Sequence, residues 1–394
     1  MNILIFEWGS YTHKDVVDAF KRKGYKIRIV THRFKDKNHD DDFVKEFNGY
    51  LDEGEYEFVY STNFFPLVAR CCNEHSVRYI SWSYDAPLDV PDIERTLGLP
   101  CNYAFMYDRE QVNDYRKLGF DNVFHLPLAV NTRRLDSIYL SAAERKKYRA
   151  QFSFVGNLYD SMMPDIRSVM DEYHQGYIDA VMKAQSKIYG YYMIDDVLTD
   201  GLIGEINEGI RKRSMEYRGE QDNGAGVFSI NKPALSYAMA AQITREDRLL
   251  ALKLLSNHYE VKLYSKEKND LLDKVTYMGT VDYDSEMPKV FKASDVNLNM
   301  TLRCIRSGIP QRALDIMGAG GFLLSNYQPE LAECFIDGEE MVMYESIEDM
   351  YAKASYYNAN PELRTEIAGR GHERAAVEYS YDSRIDAMLS VSLS

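Results

Sequence analysis

The stretch from Asn297 to Tyr327, NLNMTLRCIRSGIPQRALDIMGAGGFLLSNY, constrains the fold more than any other part of this chain. Val296, Leu298 and Met300 alternate with Asn297 and Asn299, the two-residue period of a strand. Gly308 and Pro310 predict a turn and a helix start, because proline fits the first helical position. Ala313, Leu314 and Met317 form an apolar stripe, and Gly318, Gly320 and Gly321 end the helix. Gly321 to Ser325 then reads as a buried strand. Two strands joined by one short helix make a parallel βαβ unit, and ligands bind such units beyond the carboxyl ends of the strands. That rule places the loop from Thr301 to Ile309 at a site.

The chemistry of this loop suits a nucleotide diphosphate. N–H groups near Ser307, Gly308 and Ile309 sit at a helix N-terminus, where an anion is favoured. Gly308 lets a phosphate approach the backbone closely. Arg312 and Asp315 are three apart and share one helix face. A guanidinium clamps phosphate, and a carboxylate accepts from both hydroxyls of a ribose. Arg303 and Arg306 add positive charge. The spacing alone equally fits a surface helix with an ordinary Arg–Asp pair.

The rest of the chain narrows the class. Its 394 residues predict two or three domains, and a 45% apolar fraction is normal for a globular protein. A net charge of −14 argues against a nucleic-acid partner, which needs a broad basic face. No apolar run approaches the roughly 20 residues that span a bilayer, and MNILIFEWGS enters a strand with no basic leader. These features predict a cytoplasmic protein without a transmembrane segment. The five cysteines include an adjacent pair and no CxxC, which fits neither a disulfide framework nor a zinc site. Thirty-one tyrosines suit sugar binding, since the ring stacks and the hydroxyl hydrogen-bonds, though they also suit a core.

The first half begins as a β-α-β unit: a strand from Asn2 to Phe6, a helix from about Lys14 to Lys23, and a strand from Lys26 to Val30. It lacks GxGxxG, so a dehydrogenase reading loses its main support. The first loop is expected at the cleft. His13 there reads either as a base or as a surface residue at a helix start. After the strand Arg78–Trp82, Asp85 before Pro87 reads either as a cleft acid or as an aspartate opening a turn. The charged segment from about Asn131 to Arg149 reads as an interdomain linker.

The second half opens with a strand over Phe152–Val155 and a turn at Gly156-Asn157. Residues 160–240 are Met- and Tyr-rich, helical in pattern and longer than a plain crossover needs, so an inserted helical element is expected, with a flexible turn over Gly219–Gly226. Thr244 followed by Asp247 predicts a capped helix start, which would put Arg245 and Arg248 at an N-terminus, where they read equally as phosphate ligands or as solvated arginines. Asp282-Tyr-Asp284 matches a short Asp-x-Asp metal pattern that an acidic chain produces by chance. Asn326 and Tyr327 leave the last strand of the site unit and should face the cleft.

Several of these segments resemble, in order, one family. Phe152-Ser-Phe-Val-Gly-Asn-Leu-Tyr159, Val275-Thr-Tyr-Met-Gly279, Leu298-Asn-Met-Thr301, Gly308-Ile-Pro310, Asp315 to Leu324 and Tyr379-Ser-Tyr-Asp382 look like the family-1-type bacterial glycosyltransferases of GT-B fold, in the group related to the spore maturation protein CgeB. The resemblance implies an α/β chain of two Rossmann-like domains facing a cleft: residues 1–149 on the acceptor side, 150–378 on the nucleotide-sugar side, and a helix over 379–394 crossing back. It implies sugar transfer from a nucleotide diphosphate, UDP favoured, to a glycan, protein or lipid-linked acceptor, with no metal or other cofactor. Asp315 takes the ribose position. Eight residues earlier, where the broader retaining superfamily has a sugar-contacting Glu, stands Ser307. Asn157 stands near where an arginine often meets phosphate. A non-catalytic member that binds nucleotide or sugar in surface-layer assembly is the alternative.

Overall fold

The computed structural model describes residues 1–88, 90, 93–218 and 229–393. The first domain runs β1 (Asn2–Glu7), α1 (His13–Arg22), β2 (Lys26–Thr31), α2 (Asp41–Glu53), β3 (Phe58–Thr62), α3 (Pro66–Glu74), β4 (Arg78–Ser83), α4 (Glu94–Leu97), β5 (Asn102–Met106), α5 (Arg109–Lys117) and β6 (Val123–His125). Its six strands pair in the order β2-β1-β3-β4-β5-β6, all parallel. Ile3, Leu4, Ile5 and Phe6 are all buried. A strand covered on both faces needs such an unbroken apolar run, and helices on both sides supply the cover.

Two short helices, α6 (Thr132–Asp136) and α7 (Ala142–Tyr148), join the domains. The second domain has β7 (Ala150–Val155), then α8 (Met163–Ser168), α9 (Glu172–Gln185), α10 (Ile194–Val197), α11 (Asp200–Arg218) and α12 (Lys232–Ser256). It continues with β8 (Val261–Tyr264), β9 (Thr276–Gly279), α13 (Met287–Ala293), β10 (Ser294–Asn299), α14 (Gln311–Gly318), β11 (Leu323–Asn326), α15 (Pro329–Cys334) and β12 (Val342–Tyr344). The helices α16 (Ile347–Ala359), α17 (Pro361–Glu378) and α18 (Tyr381–Ser392) close the chain. The second sheet is ordered β12-β11-β10-β7-β8-β9, the doubly wound arrangement in which the first strand lies at the centre. The expected unit over 297–327 is present as β10, α14 and β11, with Asn297 opposite Leu323.

The helices between β7 and α12 form the insertion and hold their own apolar cluster, built on Ile178, Ile194, Ile206 and Met239. That cluster also takes in Leu302 and Cys304, so the insertion packs onto the site loop. The turn expected over Gly219–Gly226 lies outside the described residues. The helix start expected at Thr244 is corrected: α12 begins twelve residues earlier, capped by Asn231, whose side chain accepts from the Ala234 N–H at 2.8 Å. The Thr244 hydroxyl instead donates back to the Ala240 carbonyl at 2.7 Å, as threonine does inside a helix.

The domains are closed on each other. One apolar cluster runs from Ile5 and Tyr60 through Leu128 and Val130 to Ile309, Leu314 and Met317. The last helix, α18, lies against α1, with Arg22 bonded to Asp382 at 2.9 Å and Lys23 paired with Asp386. The Val130 N–H donates to the Tyr379 carbonyl at 2.8 Å. All five cysteines are free; four are buried and Cys334 is partly open. Among the described residues no helix is long and apolar enough to cross a membrane.

Candidate active site in the interdomain cleft

In the first sheet the strand order reverses at β1, with β2 on one side and β3 on the other, so a crevice opens beyond the ends of β1 and β3. Glu7 ends β1. Its Oε1 accepts from the N–H groups of Gly9 at 2.5 Å and Ser10 at 2.7 Å, and its Oε2 pairs with His13 Nδ1. Burial by itself raises the Glu7 carboxyl. Hydrogen bonds from His13 and Gly9 outweigh it and hold the group below the usual carboxylate value. His13 opens α1.

Asn63, just past β3, has φ +66, a left-handed conformation uncommon outside glycine. Its side chain accepts from the Tyr84 N–H at 2.8 Å and donates to Asp85 Oδ2 at 2.6 Å. Asp85 is exposed, and its charge acts on Tyr107 and on Tyr159 of the opposite domain. Tyr159 is itself left-handed at φ +60. Such strained residues collect at functional sites, and here one stands on each wall of the cleft.

In the second sheet the reversal falls between β7 and β10. The N–H groups of Gly308, Ile309 and Gln311 have no hydrogen-bond partner among the described residues, although Gly308 and Ile309 are buried. Buried unpaired N–H groups are rare. They lie where α14 begins, the end of a helix that attracts anions. Arg312 Nη1 lies 3.3 Å from Asp315 Oδ2 and also touches the Met287 sulfur. Asp315 is buried and accepts from the Tyr283 hydroxyl at 3.0 Å and Gln311 Nε2 at 2.9 Å. Burial raises its carboxyl, and Arg312 with these two donors opposes that. The Gln311 Oε1 is buried and has no hydrogen-bond partner among the described residues.

Arg248 of α12 is buried without a carboxylate in hydrogen-bond contact among the described residues. Its guanidinium donates to the Met300 and Asn157 carbonyls, at the ends of β10 and β7, and stacks 4.7 Å from the Tyr159 ring. It therefore ties together the two strands that flank the crevice. Burial lowers its affinity for its proton.

Other expected site residues have different partners. Arg303 is not a free phosphate ligand: its guanidinium bonds Asp247 at 2.6 Å, reaches the Ser186 and Ile188 carbonyls, and stacks 3.9 Å from Tyr189. It pins the insertion to the site loop. Arg245 donates to the Tyr159 carbonyl at 2.9 Å. Gly156 donates its N–H to the Tyr264 carbonyl, and the Asn157 side chain accepts from Tyr159 at 2.6 Å. Asn326 accepts from the Thr301 N–H at 2.7 Å, and Tyr327 packs where a side chain on Gly190 would stand. A side chain on Gly308 would meet Tyr107, ring and carbonyl, so that glycine admits the first domain rather than open space.

Ser307 is turned into the domain interface. Its hydroxyl lies 3.0 Å from Asp108 Oδ1 and 2.7 Å from Glu330 Oε1. Asp108 also accepts from the N–H groups of Arg306 at 2.7 Å and Ser307 at 3.3 Å while capping α5. Glu330 pairs with His125 at 2.8 Å. Sequence reasoning missed Asp108, Glu7 and Tyr283. An aspartate before the Arg109 helix was a readable cap, and a carboxylate ending the first strand was a readable cleft position.

The loop over 282–284 touches the first domain. Tyr11 and Tyr283 have ring centroids 5.7 Å apart, Lys14 pairs with Asp284, and Arg134 bonds Asp15 at 2.9 Å and the Asp284 carbonyl at 3.1 Å. Asp282 accepts from the Ser285 N–H at 2.8 Å. Both acids of the Asp-x-Asp pattern thus have structural partners. No group of three His, Cys, Asp or Glu placed to hold a metal occurs among the described residues.

Two parallel six-stranded Rossmann-like sheets, closed over a cleft and tied by a returning terminal helix, define a protein of GT-B fold. A sequence model of the family described as Glycosyl transferase-like matches residues 245–390, the part that carries Arg248, Arg312 and Asp315. HepE from Anabaena, solved with UDP and glucose, is similar in structure, with a TM-score of 0.59 at 8% identity over 99% of each chain. A sucrose-phosphate synthase from Thermosynechococcus elongatus aligns with a TM-score of 0.57 at 10% identity, over 99% of this chain and 98% of that one. WaaG, a glycosyltransferase involved in lipopolysaccharide biosynthesis, aligns with a TM-score of 0.53 at 12% identity over 99% of each. At these identities the likeness is one of fold. No curated protein matches the chain by sequence.

Proposed function

We propose that this chain is a glycosyltransferase that moves a sugar from a nucleotide diphosphate donor, UDP favoured, to a hydroxyl of a glycan, protein or lipid-linked acceptor. The observation that carries this reading is the trio of unpaired N–H groups at Gly308, Ile309 and Gln311 beside Arg312 and Asp315. Those donors suit the leaving diphosphate and need no metal to neutralise it. Asp315 suits the ribose, and His13 and Asp85 on the opposite wall suit the acceptor hydroxyl. The family match over residues 245–390 and the UDP and glucose held by HepE support the same reading. Within that family we place the chain with the CgeB-related group, acting in the cytoplasm.

Thermal stability against UDP, GDP, ADP, CMP and TDP, with and without magnesium, tests it. A ligand bound only by the folded state adds RT ln(1 + [L]/Kd), about 2.7 kcal/mol at a hundredfold excess over Kd. One diphosphate, UDP by expectation, should raise stability whether or not magnesium is present. Asp315→Asn keeps the shape and an acceptor for Tyr283 but removes the carboxylate, and should abolish the shift. A full shift in that variant would refute the ribose assignment.

A second reading is a non-catalytic binding member. It is favoured by Ser307, which is consumed by Asp108 and Glu330 at the position of an expected acid. Donor turnover separates the two readings.

A further inference from the structure

The chain has two tryptophans, and they are used in opposite ways. Trp82, on β4, is fully buried, and its indole N–H donates to the Leu126 carbonyl at 3.2 Å. Trp8, the residue after β1, is 44% exposed. It is held in place all the same. Its indole N–H donates to the Thr62 carbonyl at 2.7 Å, and its ring packs on Phe65 with centroids 6.3 Å apart. The polar end of the indole is thus spent inside the protein, which leaves the apolar ring to meet a ligand. A side chain fixed in this way loses little further freedom when a ligand covers it.

The residue after Thr62 is Asn63, whose amide holds Asp85 Oδ2 at 2.6 Å. The exposed indole and the exposed carboxylate are therefore anchored on consecutive residues at the end of β3. Asp85 Oδ1 makes no hydrogen bond among the described residues. A flat apolar face beside a fixed carboxylate matches a pyranose, whose C–H face stacks on an aromatic ring while its hydroxyls donate to the carboxylate. Glu7 adds a second carboxylate on this wall, while Lys14 and Arg134 are engaged by Asp284 and Asp15. A ligand end that carried phosphate or carboxylate would be repelled there, whereas a neutral sugar would not. The same loop reaches the donor wall, since Tyr11 stacks on Tyr283 and the Tyr283 hydroxyl bonds Asp315.

We infer that Trp8 and Asp85 form the acceptor subsite and that the acceptor is a neutral glycan, whose terminal sugar ring stacks on the indole and donates hydroxyls to the carboxylate. The inference rests on the glycosyltransferase reading and deepens it by naming the acceptor class. The rival is a protein acceptor, in which a serine or threonine hydroxyl enters the cleft on a peptide and no sugar ring covers Trp8. The whole chain, with UDP at saturation, is applied to an array of neutral glycans, anionic glycans and serine- and threonine-bearing peptides. Bound glycans are then titrated in solution against acrylamide quenching. Trp82 is buried, so quenchable tryptophan emission reports Trp8. The same glycans are also presented on a lipid anchor in phosphatidylcholine vesicles.

The expected result is binding to neutral glycans that share one terminal sugar, and protection of Trp8 from acrylamide by those glycans. Trp8→Ala should weaken glycan binding by about tenfold or more. Trp8→Phe keeps a ring and should restore most of it, and Asp85→Asn should weaken binding without removing the protection. Free and lipid-anchored glycans should depend on Trp8 alike. The melting temperature of each variant, with and without UDP, reports the fold and the donor side. Should Trp8→Ala fail to fold, acrylamide protection in the wild type and the Phe variant still decide. A chain that binds UDP but no glycan, a preference for peptides or anionic glycans, unprotected Trp8, or anchored glycan bound equally by Trp8→Ala would each overturn the inference. A chain that neither binds UDP nor turns over donor would refute the glycosyltransferase reading itself.

Discussion

Asp108→Ala is expected to lower stability by about 3–5 kcal/mol and to part the two domains. The carboxylate is buried and receives five donors: the N–H groups of Glu110 and Gln111 on its own helix, and the Arg306 N–H, the Ser307 N–H and the Ser307 hydroxyl from the other domain. Removing it takes away a helix cap worth about 1 kcal/mol. It also strands two interdomain N–H groups, each at about 1–2 kcal/mol. The Ser307 hydroxyl keeps Glu330 and adds little. Chemical denaturation should show the loss, and solution scattering a larger radius of gyration. Asp108→Asn keeps one acceptor oxygen and should fall about halfway. A loss under about 1 kcal/mol with unchanged scattering would mean that the apolar cluster, not this carboxylate, holds the domains closed.

Gly371→Ala should destabilise by about 2 kcal/mol or more, whereas Gly369→Ala two residues away should stabilise by about 0.5–1 kcal/mol. Both lie inside α17, where alanine gains about 1 kcal/mol over glycine in helix propensity. At Gly369 nothing stands within 4 Å of an added methyl, so propensity decides. At Gly371 the methyl would lie 2.1 Å from the Glu340 carbonyl oxygen, a backbone atom that cannot swing aside. Overpacking of that kind costs about 1–3 kcal/mol or more and outweighs propensity. The helix α17 packs on α14, and His372 reaches the Gly318 carbonyl at 3.0 Å. On the proposed function, Gly371→Ala should therefore also weaken nucleotide binding at Asp315. Thermal and denaturant midpoints of the two variants decide the sign. Equal shifts would show that α17 moves freely over the 340 loop.

Much of the architecture was legible because its signals are local. A buried parallel strand needs a continuous apolar run, and a short glycine-bounded helix must cross from one such strand to the next. Asn2–Glu7 and Asn297–Asn326 both display this pattern within a few residues. Local signals also misled. Thr244 and Asp247 carry a cap spacing, yet the run from Ala234 to Ala241 is strongly helix-forming and α12 passes straight through them. Arg303 read as a phosphate ligand because its loop sits at the strand ends. Which anion it would meet depended on Asp247, fifty-six residues earlier.

By itself the sequence determined the β-α-β start of the first half, the parallel unit over 297–327 and the helical insertion between β7 and α12, and its resemblance to the GT-B glycosyltransferases implied the two facing domains. Only the tertiary structure decided where charge and hydrogen bonds go within that frame. It paired Glu7 with His13, closed Asp108 over Ser307, and brought Tyr283 onto Asp315. The physical reason is range. Strand and helix patterns are set by periodicities of two and 3.6 residues, whereas a polar side chain takes whichever partner the packing of two separate domains brings within about 3 Å.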